Sequence, residues 1–205
     1  MDEYDYEEIA CQYDEQVKEY DSYAHDIIFG MCYEYVKPNE KILDLGIGTG
    51  LASIKFHKAG LKVYGLDKSE DMLKVCRSKS FGEELKLLNL SNDPIPYNDN
   101  FFNHVICCGV FHFFSDLGNI FKESVRVLKK GGIFSFTISP GETTAEYSKQ
   151  MTAWGVPIYK HSSDYINKLL GKNNMELLKE QRLLMKGADK INYDMLFSVL
   201  VAKLH

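Results

Sequence analysis

Ile42-Leu43-Asp44-Leu45-Gly46-Ile47-Gly48-Thr49-Gly50 is the stretch on which the fold turns. Ile42 to Leu45 reads as a buried strand that runs directly into a turn with glycine at alternate positions. Glycine carries no side chain, so the backbone at 46, 48 and 50 can pass close to a ligand. A helix expected from about Thr49 would aim free N–H groups at whatever rests on that turn. A dinucleotide fingerprint needs its third glycine one residue later, where this chain has Leu51. The spacing here is Gly-x-Gly-x-Gly.

Lys62-Val63-Tyr64-Gly65-Leu66-Asp67 is a second short apolar run, and its terminal carboxylate stands 17 residues after Gly50. In a doubly wound sheet the ends of the first two strands lie side by side, and an acid there can accept hydrogen bonds from both hydroxyls of a ribose. The plainer alternative is a βαβ unit in which Asp67 only caps a helix starting near Ser69. Glycine turn, helix, strand and acid in that order favour the ligand site.

With 205 residues and 45% apolar content, the chain can bury one sizeable core but is cramped for two full domains. We divide it into a helical N-terminal cap, 1–36, and a body, 37–205. Net charge is −5 and uneven: residues 1–40 hold 12 acids against two lysines, and the remainder carries 22 basic against 17 acidic residues. An acidic head and a dispersed basic excess argue against nucleic acid as partner. No apolar run reaches the length of a membrane span. The start, Met1-Asp2-Glu3-Tyr4-Asp5, is acidic where a secretion leader is basic and then apolar. Cys11, Cys32, Cys76, Cys107 and Cys108 lack Cys-x-x-Cys spacing and read as reduced thiols of a cytoplasmic protein. No His, Asp and Glu cluster has ligand spacing, so no metal is expected.

Ile9, Tyr13, Val17 and Tyr20 recur at helical intervals, and Pro38-Asn39 closes that segment. Strands and helices then alternate: strand 41–46, helix 50–59, strand 62–67, helix 70–79, strand 85–89, strand 102–108, helix 116–128 and strand 132–138. Lys129-Lys130-Gly131-Gly132 reads as a turn with glycine at a helix C-terminus. A helix at 163–172 follows, capped by Ser162 or Ser163. The runs 176–186 and 194–203 read as an antiparallel hairpin at one sheet edge. Residues 139–162 are the least regular part and are expected to form a lid over the strand ends. The predicted class is α/β: a Rossmann-like, seven-stranded, mostly parallel sheet with a C-terminal antiparallel hairpin and helices on both faces.

At this point the motifs match a known pattern. From about 37 to 203 the chain resembles the class I S-adenosylmethionine-dependent methyltransferases. Asp44-x-Gly46-x-Gly48-x-Gly50 is similar to their first motif, Asp67 to the ribose-binding acid, and Leu128-Lys129-Lys130-Gly131-Gly132 to the turn before strand five. Asn89-Leu90-Ser91, Pro96-Tyr97 and Phe102-Asn103 are similar to the stretch around strands three and four. The resemblance implies S-adenosylmethionine as cofactor and S-adenosylhomocysteine as product. Glycines 46, 48 and 50 would admit its methionine part, and Asp44 would orient the turn through backbone N–H groups. Asp67 would hold the ribose beside Lys68, Met72 would cover adenine, and Asn89 with the Leu90 backbone would read its edge. Gly109 and Val110 would line the path to the acceptor. Two positions depart from the pattern: Asn89 stands where an Asp is common, though its carbonyl can still accept, and Asn103 replaces a frequent Asp.

Methyl transfer from a sulfonium needs alignment and a dry site, and a base only if the nucleophile must lose a proton. His112, inside the apolar Val110-Phe111-His112-Phe113-Phe114, is the candidate base. The bland reading is a histidine satisfied by a backbone carbonyl. Tyr13-Asp14 resembles a Tyr-Asp pair that reaches the cofactor, although seven of the 13 tyrosines lie in the first 40 residues and most of them must simply pack. His161 is a candidate pocket residue, and Trp154 a candidate cover for bound substrate. The expected partner is a small-molecule methyl acceptor (O, N or S). Alternative readings are a protein methyltransferase, a non-catalytic S-adenosylmethionine sensor or scaffold, and a nicotinamide-dependent enzyme, which the glycine spacing disfavours.

Overall fold

The computed structural model describes residues 6–19, 21–142, 144–152, 155–185 and 195–205, without the side chains of 6–9 and 185. Its spine is five parallel strands: β1 (Lys41–Leu45), β2 (Lys62–Asp67), β3 (Gly82–Leu87), β4 (Phe102–Cys107) and β5 (Leu128–Pro140). They lie in the order β3-β2-β1-β4-β5. The chain builds outward from β1 in one direction, then returns and builds in the other. The carboxyl ends of β1 and β4 therefore diverge into a crevice, the place where open α/β sheets bind ligands.

Alternation along the strands divides the apolar residues between two cores. Leu43, Leu45, Val105, Phe134 and Phe136 pack on one face with Phe121 of α5 (Gly118–Val127) and Leu169 of α6 (Ser163–Lys172). Ile42, Val63, Ile106, Ile133 and Val199 pack on the other with Phe56 of α3 (Ser53–Lys58) and Leu73 of α4 (Glu70–Ser78). Covering both faces is what a parallel sheet requires. Ile28 and Cys32 of α2 (Ala24–Cys32) join the second core. Ahead of it lies α1 (Tyr6–Glu19).

β8 (Met175–Met185) and β9 (Met195–Leu204) form the expected antiparallel pair, and β9 also pairs antiparallel with β5, from Ile133↔Lys203 to Ile138↔Ser198. These seven strands match the predicted sheet. The segment expected to be irregular adds two more: β6 (Tyr147–Met151) and β7 (Pro157–His161) form a hairpin, and β7 joins the end of β5 in parallel at Pro140↔His161. The lid reading of 139–162 is corrected accordingly, while Trp154 lies outside the described residues.

Two local expectations also change. The helix after the glycine turn begins at Ser53 rather than near Thr49, has six residues and carries no side-chain cap. The Lys129–Gly132 segment is not a helix-ending turn, because α5 gives way directly to strand at Leu128. Pairing then jumps from Phe102↔Leu128 to His104↔Ile133, which extrudes residues 129–132 as a bulge. Among the described residues no helix is long and apolar enough to cross a membrane. All five cysteines are free.

Candidate cofactor and acceptor site

All three glycines of the turn hold positive φ: Gly46 at 75°, Gly48 at 53° and Gly50 at 87°. Their reasons differ. A Cβ at Gly46 would stand 2.4 Å from Cγ2 of Val110, and one at Gly50 2.4 Å from Cζ of Phe81. Both positions are closed by packing. A Cβ at Gly48 would meet nothing within 4 Å, so this is where the turn opens to a ligand. The Gly46 and Ile47 N–H groups donate to the Leu66 carbonyl, anchoring the turn to the end of β2.

Asp67 completes that anchor. Its Oδ2 accepts from the Gly48 N–H at 2.7 Å and its Oδ1 from the Ser69 N–H at 2.9 Å. A carboxylate has about four acceptor sites, so about two remain. Burial raises its pKa, against the pull of those N–H groups. Ser69, not Asp67, caps α4, accepting from the Met72 N–H. Asp44 does not touch the N–H groups of the turn. Its Oδ2 accepts from Ser53 Oγ at 2.6 Å, and its buried Oδ1 has no partner among the described residues. Burial, with Asp67 nearby, pushes it up to about 7.

Helix α1 is strapped over this turn. Asp14 accepts from Thr49 Oγ1 and from Lys79 Nζ, both at 2.5 Å, and Lys79 also donates to the Thr49 carbonyl. Tyr13, one residue earlier, is 37% exposed. Its phenol is pushed up to about 12, chiefly by burial, with Cys108, Asp14 and Asp67 adding repulsion.

Beside the ends of β2 and β3 lies a cleft of about 370 Å³ lined by Lys68, Leu87, Leu88, Asn89 and Asp93. Asn89 Oδ1 accepts from the Ser91 N–H at 3.0 Å and is already engaged in a local turn. Asp93, which sequence reasoning missed, accepts from the Asn89 N–H at 3.2 Å and supplies the carboxylate on this wall. Met72 and Leu90 are half-buried, and Leu90 packs on the first core.

The far side of the crevice begins at Gly109, whose φ of 75° faces open space and whose N–H donates to Thr137 Oγ1 at 2.7 Å. His112 follows in the one-turn 3-10 helix Phe111–Phe113 and is 8% exposed. Burial beside His161 pushes its imidazole down to about 4. Its ring rests against Phe113 and Phe197, and its Nδ1 has no partner. His161, at the end of β7, is fully buried and bonds the Phe114 carbonyl through Nε2 at 3.0 Å. A carbonyl only accepts, so Nε2 carries the proton and the unpartnered Nδ1 is a bare acceptor. Two neutral imidazoles thus meet where β4, β7 and β9 converge. The sequence signal for this pairing was absent, because β7 was unrecognised.

Residues 43–136, from β1 through the middle of β5, match the sequence model of a family described as a methyltransferase domain. Residues 43–136 carry a methyltransferase domain. Among curated proteins this domain is 39% identical over 103 residues to the demethylmenaquinone methyltransferase of Bacillus mycoides, covering 47% of this chain and 44% of that one. It is 28% identical over 174 residues to the malonyl-[acyl-carrier protein] O-methyltransferase of Legionella pneumophila, covering 79% and 58%. The chain therefore spans less than two thirds of the length of either relative. Its fold is shared by the Burkholderia thailandensis 1,6-didemethyltoxoflavin-N1-methyltransferase, solved with 1,6-didemethyltoxoflavin and S-adenosylhomocysteine, with a TM-score of 0.73. Identity there is 16%, over 96% of this chain and 85% of that one.

Proposed function

We propose that the protein transfers a methyl group from S-adenosylmethionine to a small-molecule acceptor bound between the end of β4 and β7. The observation that carries this is the pair of open glycines, Gly48 and Gly109, on opposite walls of the crevice, with Asp67 clasping the first. The cofactor, when bound, supplies a methyl group already activated on sulfonium sulfur. The residues fit it. Asp67 has acceptor capacity left for ribose hydroxyls, and Asp44 holds an unpaired buried oxygen suited to a cationic or N–H-bearing group. Gly48 leaves room for the methionine moiety, while Gly46 and Gly50 let the turn pack against Val110 and Phe81. Lys68, Met72, Leu90 and Asn89, with Leu87 and Asp93, frame the adenine cleft. Gly109 and Val110 border the transfer path.

His112 is the acceptor-facing group. Its burial keeps it uncharged at neutral pH, so it does not repel a sulfonium, and its neutral ring can accept the X–H of a hydroxyl, amine or thiol. Its basicity is low, so its main part is to orient that bond, taking the proton as the nucleophile becomes cationic. His112 is flanked by the half-exposed Phe113, which gives the acceptor wall an aromatic surface, and by the buried Phe197. Helices α1 and α2 serve as cap over the cofactor.

The test is calorimetry of S-adenosylmethionine and S-adenosylhomocysteine binding, with Asp67→Ala as control. Loss of a carboxylate bonded to two hydroxyls should weaken binding about 30-fold or more. Absence of binding by the wild-type protein would sink the reading. Binding without turnover of any acceptor in a screen of quinols, acyl carboxylates and heterocycles would favour the sensor instead.

A further inference from the structure

At the opposite end of the sheet, by the amino ends of β4 and β5, lies a second cleft of about 370 Å³. No step of methyl transfer uses it. Its walls carry four lysines, Lys37, Lys129, Lys130 and Lys203, and two carboxylates, Glu34 and Glu40. The carboxylates are already taken. Glu34 is held by Lys179, and Glu40 accepts from His104 Nε2 at 2.7 Å and from the Lys37 N–H at 2.9 Å. The lysines are not. Lys129 reaches only the neutral Asn103 Oδ1, and among the described residues Lys37, Lys130 and Lys203 have no acceptor for their ammonium groups. Four like charges around one cavity repel one another, and against them stands only the Glu40 carboxylate, bonded to an imidazole and an amide rather than to an ammonium.

The floor adds a second observation. His104 is 4% exposed, and burial lowers its pKa. Since Glu40 can only accept, the proton sits on Nε2, and the buried Nδ1 is a bare acceptor without a partner. A buried acceptor left unpaired is costly unless something donates to it. The rim adds a third. The 129–132 bulge opens over the cleft, and Gly131, at φ 75°, would meet nothing within 4 Å if it carried a Cβ. His104, Ile133 and Lys203 occupy one row across three strands. The His104 and Lys203 positions therefore lie roughly 10 Å apart, a span that suits a ligand of several heavy atoms.

We infer that this cleft is a binding site for a small phosphate-bearing anion, separate from the cofactor crevice. Lysine ammoniums provide the charge and the hydrogen-bond donors. A small anion fits better than a polyanionic strand. The basic groups are confined to one cavity of a size at the lower end for small-molecule sites, with carboxylates on the same wall. The inference stands apart from methyl transfer, and its failure would leave that reading untouched.

The experiment is calorimetry of inorganic pyrophosphate into the full chain at fixed ionic strength, with wild type, Lys130→Glu, Lys203→Glu and Asp67→Ala. The expected result is saturable one-to-one binding, weakened about tenfold or more by either charge reversal and unchanged by Asp67→Ala. Lys130 is exposed, so its variant should keep the wild-type melting temperature and report on the cleft alone. Equal affinity in wild type and both reversals, or a non-saturable heat, would overturn the site. Tighter binding of a short RNA duplex than of pyrophosphate would overturn the small-anion assignment.

Discussion

Gly46 and Gly48 share a positive φ but should respond to mutation in different ways. Alanine at 46 adds a 2.4 Å clash with Val110 to the left-handed strain, whereas alanine at 48 adds the strain alone. Gly46→Ala should cost about 2–4 kcal/mol in urea unfolding, and Gly48→Ala about 1–2 kcal/mol. In calorimetry the order should reverse for Gly48, with cofactor affinity falling more than stability does. Asp44 is the other residue with a measurable signature. Its folded pKa lies above the ordinary 3.8, at about 7, so the folded state holds a proton that the unfolded chain has lost. Between those two values stability falls as pH rises. The neutral histidines act in the opposite sense over the acidic part of that window, so wild type must be compared with Asp44→Asn. The variant should gain on wild type from about pH 4 to about pH 7 in denaturant titrations. A constant difference across that range would show that Asp44 does not titrate there.

At the scale of elements, α1 is tied to the glycine turn by polar contacts made chiefly through one side chain. Asp14 and its partners Thr49 and Lys79 lie between a helix outside both apolar clusters and the loop that meets the cofactor. Asp14→Asn removes the charge from both bonds but keeps the shape. It should accelerate amide exchange in α1 while leaving β1 and β4 protected, and weaken S-adenosylhomocysteine binding by about tenfold. Unchanged exchange in α1 would mean that apolar contact alone holds the helix. β7 is the second such element. It pairs with β5 over only two positions, yet it delivers His161 to His112. The hairpin escaped sequence reading because Tyr147–Met151 is polar and largely exposed, so no period-two apolar pattern marks it.

For the molecule as a whole, the aromatic core beside β5 carries much of the cohesion. Phe134 is fully buried and lies 4.9 Å from Phe136 and 5.3 Å from Phe121, ring to ring. Phe134→Ala should cost about 3–5 kcal/mol, read as a lower urea midpoint with the same slope. A change of slope would instead report a loosened native state. The two ends of the sheet differ in chemistry. The carboxyl ends gather Asp44, Asp67, Gly48, Gly109 and His112, and the amino ends gather the lysine-lined cleft. Parallel strands place all their carboxyl ends on one side, so one sheet offers two chemically distinct ends.

By itself the sequence determined the order of seven of the strands and of the helices between them, the parallel core with its antiparallel close, and the glycine turn followed by a strand ending in an acid. These follow from local periodicity and from spacing along the chain, which a short window contains. Tertiary structure alone decided which carboxylate clasps the turn, that Asn89 spends its carbonyl on Ser91, and that His112 faces His161. It also decided that Lys129–Gly132 bulges over a cleft shared with Lys37 and Lys203. In each case the partners lie in different segments or depend on a loop's final hydrogen bonds. Their meeting is set by the register and handedness of the assembled sheet, which no single stretch of chain encodes.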